Sequence, residues 1–327
     1  MKKNQKKLLY SGILILLITI IAIFGNYDTP IAQKNTIIID NDIVKTGSNN
    51  IGELPSDFSL EGLTPLQILF FDVGQADSIL ISKNGQNMLI DAGKYEDGQY
   101  IAEYLKQLGI TKIDYLVGTH THEDHIGGMY KIIDEFDIEV FLLPEVDSKL
   151  NLRFYRELKA SMEKKELIPT RANIGDVFNM GDATCTIKYV DNELPNNLNN
   201  SSILIEMNFS EYNYLFMGDA EKSVENNKDI IWQKIEVLKV GHHGSNTSSG
   251  EKFLNIVSPE IAIVSVGTNN RYNHPDTSVG GVVERLIAIC GMHNVFRTDL
   301  NGTIYIKNVE GEHTVQFLKT NIDSKRR

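Results

Sequence analysis

Residues 113–128 read IDYLVGTHTHEDHIGG, an apolar run that ends in His120, His122, Asp124 and His125 and then a pair of glycines. A solvated loop has no use for so many imidazole and carboxylate groups, and a dry core does not tolerate them unpaired. A chain with this segment must bring a strand end, a tight turn and further polar side chains to one point. In an extended segment, side chains two apart point the same way, so one metal ion can take both His120 and His122. Asp124 and His125 follow in the turn and first helical positions and project to a neighbouring point, which offers ligands for a second ion. Near a helix N-terminus a neutral imidazole is favoured, which suits ligation. Gly127 and Gly128 lack a Cβ and let backbone pack closely beneath the cluster. The helical zinc motif H-E-x-x-H needs histidines four apart, and His120–Glu123 does not match it.

Other segments supply what the cluster lacks. FMGDA places Asp219 after a strand, where its carboxylate either bridges two ions ~3.5–4 Å apart or forms an ordinary turn. LKVGHHGSNTSS places Lys239, His242, His243 and Ser245 at another strand end, and residues 269–275, NNRYNHP, add Asn269, Arg271, Tyr272 and His274 on a loop. Arg271 and Lys239 suit an anionic substrate, and His274 or Tyr272 suits proton donation to a leaving group. The alternative for both cations is surface charge and packing. Asp72, Asp77 and Asp91 either support the ligands from behind or form turns and caps. Nitrogen and oxygen ligands without thiolate fit two divalent ions, Zn²⁺ or Mn²⁺.

The chain has 327 residues, with 43 acidic and 32 basic side chains and a formal net charge of −11. That balance excludes a globally basic nucleic-acid binder but leaves room for a local basic groove. MKKNQKK is followed by an uncharged run at residues 8–24. This predicts a cytoplasmic basic tail and transmembrane signal anchor over 1–27, with the remainder outside the cytoplasmic membrane. Secretion after signal cleavage is the alternative. Residues 28–65 read as an extracellular linker, 66–320 as the folded domain and 321–327 as a basic tail. Cys185 and Cys290 are too few for a disulfide scaffold or a thiolate zinc site and are expected as buried free thiols.

From Leu66 onward, short β-rich runs (LQILFFDV, DSILIS, NMLIDAG) give way to alternating strand and helix patterns. Helical spacing is expected over 99–108, 126–136, 150–165, 221–232, 250–257 and 277–289. A second β-rich block spans CTIKYV, SILIEMNF and YNYLFMGD. Two β-rich halves with intervening helices fit an α/β (α+β) fold, a two-sheet αββα sandwich rather than a doubly wound sheet.

Asp91, the HxHxDH cluster, Asp219 and His242-His243 occur in the order of the metallo-β-lactamase fold. The set FDVGQADSILI, LIDAG, THEDHIGG, NNSSILIE, FMGDA, LKVGHHGSNTSS and VSVGTNNRYNHP resembles the extracellular metallo-β-lactamase-like domain of ComEC-type DNA-uptake (competence) proteins, in stand-alone form. The resemblance covers roughly 66–320. It implies His120 and His122 on one ion; Asp124, His125 and one of His242 or His243 on the other; and Asp219 as the bridge. Many members read HxxxDH, so His122 implies a fully metallated centre. The histidine usual before a later strand is replaced by NNLNNSSILIE, where Asn200 or a neighbour fills the position weakly or a coordination site stays open. With one candidate membrane helix, the chain is not itself a channel. The implied function is a membrane-anchored, metal-dependent phosphodiesterase or nuclease acting on DNA or another phosphodiester, with an uptake channel as a partner. Two other functions compete with it. One is a hydrolase of another ester, such as a cell-wall phosphodiester, phosphorylcholine or a lactone. The other is a non-catalytic DNA-binding component.

Overall fold

The computed structural model describes residues 37–39, 44–45, 52–145 and 151–319. The expected anchor at 1–27 and basic tail at 321–327 lie outside these residues. Among the described residues, no helix is long and apolar enough to cross a membrane.

In chain order the strands begin with β1 (Ile37–Ile39), β2 (Val44–Lys45), β3 (Leu54–Pro55), β4 (Leu66–Phe70), β5 (Ile79–Lys83) and β6 (Gln86–Ile90). Helix α1 (Gly98–Gln107) leads to β7 (Lys112–Val117), then α2 (Glu123–Ile126), α3 (Met129–Glu135), β8 (Asp137–Leu142) and α4 (Arg153–Lys164). The second half runs β9 (Val177–Met180), β10 (Ala183–Tyr189), β11 (Leu204–Phe209), β12 (Tyr212–Phe216), α5 (Lys222–Glu225), β13 (Val237–Lys239), α6 (Glu251–Val257) and β14 (Ile261–Val264). It closes with α7 (Val282–Cys290), β15 (Val295–Arg297), α8 (Thr298–Asn301), β16 (Thr303–Val309) and β17 (Glu312–Leu318).

Among the described residues these strands form an 8-stranded sheet, ordered β1-β17-β16-β4-β5-β6-β7-β8, a 7-stranded sheet, ordered β15-β14-β13-β12-β11-β10-β9, and a two-stranded pair, β2-β3. The two large sheets mix parallel and antiparallel pairs. Alternation along each strand assigns its two faces. Leu66, Ile68, Phe70, Ile79 and Ile81 meet Ile205, Met207, Tyr214 and Phe216 in the layer between the sheets. The intervening Leu69, Leu80 and Leu89 pack outward with Ile101, Leu105, Ile132 and Leu158 from α1, α3 and α4. On the far side Leu215, Leu238 and Ala262 pack with Phe253, Leu254 and Leu286 from α6 and α7. This is the αββα arrangement. Burying one such Leu or Ile contributes about 1.5–3 kcal/mol, so a strand covered on both faces, such as β4, is apolar nearly throughout.

Three expectations change. Part of the segment read as a linker, 28–65, joins the fold. Strand β1 pairs parallel with β17, Leu54, Phe58 and Leu60 pack on the helix-side core, and the Tyr104 hydroxyl donates to the Glu53 carbonyl at 2.6 Å. The helix expected over 221–232 is only α5, because the Trp232 indole folds back to donate to the Glu225 carbonyl and packs its ring edge-on against Phe253. The helix expected over 126–136 is split into α2 and α3 at Gly127 and Gly128, where neighbouring backbone comes very close. A Cβ on Gly128 would lie 2.1 Å from the Ala92 carbonyl oxygen and 2.8 Å from the Gly98 Cα. Gly128→Ala is therefore expected to destabilise the protein by about 3 kcal/mol, the upper end for overpacking. Urea denaturation checks this, and a change below about 1 kcal/mol would show that the turn relaxes freely.

Candidate metal centre

The turns that follow β6, β7, β12, β13 and β14 converge at one edge of the two sheets. Asp91, just after β6, holds the left-handed conformation (φ 59) that aspartate tolerates better than most residues. Its carboxylate accepts the Thr119 N–H and the Thr119 hydroxyl, both at 2.8 Å, and lies 2.7 Å from His125 Nδ1. This fixes the turn after β7 and aims His125 Nε2 away from Asp91. His122 stands in extended conformation at the start of α2, with its Nδ1 2.9 Å from His120 Nε2. After β12, Gly218 (φ 49) packs against Ser202, whose hydroxyl accepts the Asp219 N–H. After β13, His242 and His243 both adopt left-handed backbone (φ 48 and 52), which persists for bulky residues only where the surroundings impose it.

Asp219 is the centre of the constellation. One carboxylate oxygen lies 3.3 Å from His125 Nε2, and the other lies 3.9 Å from His120 Nε2, 3.9 Å from His242 Nε2 and 3.7 Å from His243 Nε2. His243 Nε2 is also 3.6 Å from Asp124 Oδ2. His243 Nδ1 faces the Ser265 carbonyl at 2.9 Å and Asp77 at 3.3 Å, which fixes the ring. Buried His125 Nε2, Asp219 Oδ1 and His243 Nε2 make no hydrogen bond. His125 Nε2 and Asp219 Oδ1 face each other at 3.3 Å, and leaving a buried atom without a good hydrogen bond costs about 1–3 kcal/mol, which a ligand shared by the three would recover. Ligand atoms of His120, His125 and Asp219, and of Asp124, His125 and His243, lie within 4.8 Å of one another. The imidazole and carboxylate donors and the orphaned atoms fit divalent ions. His243 sits in these groups. His242 turns its Nδ1 to the Thr247 hydroxyl (2.9 Å) and Glu221 (3.3 Å). Cys185 and Cys290 are buried free thiols away from this point.

Burial and neighbouring positive imidazoles push His120 far below its usual range, the neutral form that ligation needs. For His243, burial works against the charged form, but Asp219 and Asp77 outweigh it and raise the group to about 10. His125 is likewise opposed by burial and raised by Asp219 and Asp91. Asp219 and Asp124 are held low by the same imidazoles, against burial. The ion-free protein therefore carries protons on His243 and His125 at neutral pH, and a divalent ion must displace them. Metal affinity is expected to weaken as pH falls, by about tenfold per pH unit for each proton displaced. Titration calorimetry in buffers of different ionisation enthalpy counts those protons, and a pH-independent affinity would contradict the assignment.

The centre opens into a cleft of roughly 870 Å³. Ser245, Asn269, Arg271, Tyr272 and His274 line it. The Arg271 guanidinium stacks over the Tyr272 ring and donates to its hydroxyl at 2.5 Å. His274, half-buried beside His242, is lowered to about 4 by burial first and by His242 and His243 next. It is therefore uncharged at neutral pH. Lys239 is a correction. It is buried (1% exposed) and pairs with Asp77 at 2.6 Å, so it holds Asp77 rather than an anionic substrate. Of Asn200 and its neighbours, the side-chain Oδ1 of Asn200 accepts the Glu221 N–H, while Asn199 lines the cleft and reaches His242 at 3.2 Å. Asp72 accepts the Gly74 N–H and shapes the turn after β4. Sequence reading missed Thr119, Lys94 and Glu221, because each takes its place only when separate turns meet.

The profile of the Metallo-beta-lactamase superfamily matches residues 71–268. The chain is 30% identical over 266 residues to ComE operon protein 3 of Bacillus subtilis, covering 73% of this chain and 32% of that protein. It is 31% identical over 238 residues to Recombination protein 2 of Haemophilus influenzae, covering 67% of this chain and 26% of that one. It thus spans about a third or less of the length of these relatives. Among solved structures, the metallo-beta-lactamase fold protein YhfI of Bacillus subtilis aligns with a TM-score of 0.46 at 8% identity, over 71% of this chain and 96% of that one. By the matched profile, and with the αββα sandwich and its histidine–aspartate centre, the chain belongs to the metallo-beta-lactamase superfamily.

Proposed function

We propose that this protein is a metal-dependent phosphodiesterase whose reaction takes place at the Asp219 centre, with a nucleic acid strand as the favoured substrate. The observation that carries the reading is the trio of orphaned buried atoms, His125 Nε2, Asp219 Oδ1 and His243 Nε2, beneath a cleft lined by Arg271 and Lys94. In this proposal His120, His122, Asp124, His125, His243 and Asp219 hold two divalent ions, Zn²⁺ or Mn²⁺. The ions supply a water-derived nucleophile near neutral pH and offset charge on a phosphoryl oxygen. Asp91 and Asp77 keep the His125 and His243 rings aimed inward. Arg271 holds the anionic substrate, and Tyr272 with His274 forms the wall beside the leaving group. Cationic side chains at the cleft favour a charged phosphodiester over a neutral ester. The name of one relative, Recombination protein 2, favours DNA. A single-pass anchor at 8–24, a site outside the cytoplasmic membrane and an uptake-channel partner belong to the same proposal.

The test uses the full chain, loaded with Mn²⁺ or Zn²⁺, on bis-p-nitrophenyl phosphate and on single-stranded DNA. Cleavage of both supports the reading. Bound metal with no phosphodiester cleavage points to another ester, and DNA binding without cleavage points to an uptake component.

A further inference from the structure

We infer that Gln75 is a substrate contact, its side-chain amide donating a hydrogen bond to a non-bridging phosphoryl oxygen. This assignment rests on the phosphodiesterase reading above and names a group that receives one substrate oxygen. Gln75 lies in the turn FDVGQAD between β4 and β5 and lines the cleft together with Asp124 and His243. That turn is pinned on two sides. The Asp77 N–H donates to the Asp124 carbonyl at 3.0 Å, which ties it to the ligand-bearing turn after β7. Opposite, the Gly267 N–H donates to Gln75 Oε1 at 3.3 Å. The two turns touch backbone to backbone, since a Cβ on Gly267 would lie 2.5 Å from Gln75 N and 2.9 Å from Gly74 C.

This contact fixes the amide. A backbone N–H can only donate, so the oxygen of Gln75 must face Gly267 and the nitrogen must face away from it. Gln75 Nε2 is buried and has no hydrogen-bond partner. The other orphaned atoms on cleft-lining residues, among those described, are Asp219 Oδ1, His243 Nε2 and Asn199 Oδ1. Two are oxygens that accept, and the third is an imidazole nitrogen that accepts or ligates when unprotonated. Gln75 Nε2 can only donate. A phosphodiester group offers only acceptor oxygens, so it complements this donor. An unpaired buried amide is unfavourable in the free protein, and a ligand oxygen removes that penalty on binding.

Gln75→Glu keeps the acceptor for Gly267 and replaces the donor with a carboxylate. Gln75→Met keeps the length and removes both groups. Each is prepared as the metal-loaded full chain beside the parent. Bound metal, melting temperature, hydrolysis of bis-p-nitrophenyl phosphate and competitive inhibition by inorganic phosphate are then compared. The expected result is unchanged metal content, a lowered melting temperature in Gln75→Met, where the Gly267 N–H loses its acceptor, and kcat reduced about 10²–10³-fold in both, as for loss of a donor to a developing oxyanion. Inhibition by phosphate is expected to weaken at least about tenfold in both variants. Parent-like rates and phosphate inhibition in both variants would overturn the assignment while leaving the phosphodiesterase reading intact. Loss of metal in step with activity would also overturn it, by showing that Gln75 supports the metal ligands. A parent protein that neither cleaves the diester nor responds to phosphate would remove the phosphodiesterase reading itself, and this assignment with it.

Discussion

Asp219→Ala is expected to abolish phosphodiester hydrolysis, by on the order of 10³-fold or more, and to lower bound metal from two ions per chain to one or none. Asp219 places one oxygen 3.3 Å from His125 and the other within 4 Å of His120, His242 and His243. No other carboxylate in the cluster reaches four histidines among the described residues. Its own position is set by backbone, through the N–H bond to Ser202 and the tight Gly218 turn. Truncation therefore deletes the carboxylate that these imidazoles share without moving the strands that bear the other candidate ligands. Elemental analysis and the diesterase assay on one preparation check both halves. Retained metal with retained activity would mean that Asp219 is a bystander.

The second large effect concerns stability. Lys239→Met is expected to destabilise the protein by about 3–5 kcal/mol, because it strands a buried carboxylate. Lys239 and Asp77 are each 1% exposed and 2.6 Å apart. Burial works to raise Asp77, but Lys239 and then His243 outweigh it and hold the group at about 2. At neutral pH Asp77 is therefore ionised, and removing Lys239 leaves His243 and His125 as its remaining cationic neighbours. Adding Asp77→Asn to Lys239→Met removes the stranded charge and should recover part of the loss, although the hold on the His243 ring weakens. Urea denaturation of the parent, the single and the double variant gives the comparison. A loss below about 1 kcal/mol in Lys239→Met would place the pair in a more solvated setting than the geometry indicates.

Lys239 also shows where sequence reading stops. In VLKVGHHG a lysine before a histidine pair reads as a charge near substrate, yet β13 is a central strand covered on both faces. A lysine there must find a buried partner, and Asp77 is 162 positions away in sequence. The features that were legible are local. HxHxDH after an apolar strand announces a ligand cluster, and apolar alternation along LQILF sorts one face to each core layer. The illegible features depend on two turns meeting. Asn199 rather than Asn200 faces the cleft because of the short 3₁₀ turn Leu198–Ser201 before β11. Gln75 becomes a fixed donor only because Gly267 lets the turn after β14 touch it. His243 is separated from His242 by backbone conformation, which adjacent identical residues do not reveal.

The most direct test of the central claim is the rate of bis-p-nitrophenyl phosphate hydrolysis by the full chain as Mn²⁺ or Zn²⁺ is titrated into metal-stripped protein. The account predicts no activity without metal, a rise that saturates at two ions per chain, and no response in Asp219→Ala. Saturable binding of two ions with no hydrolysis, or hydrolysis that persists in the stripped protein, would contradict it.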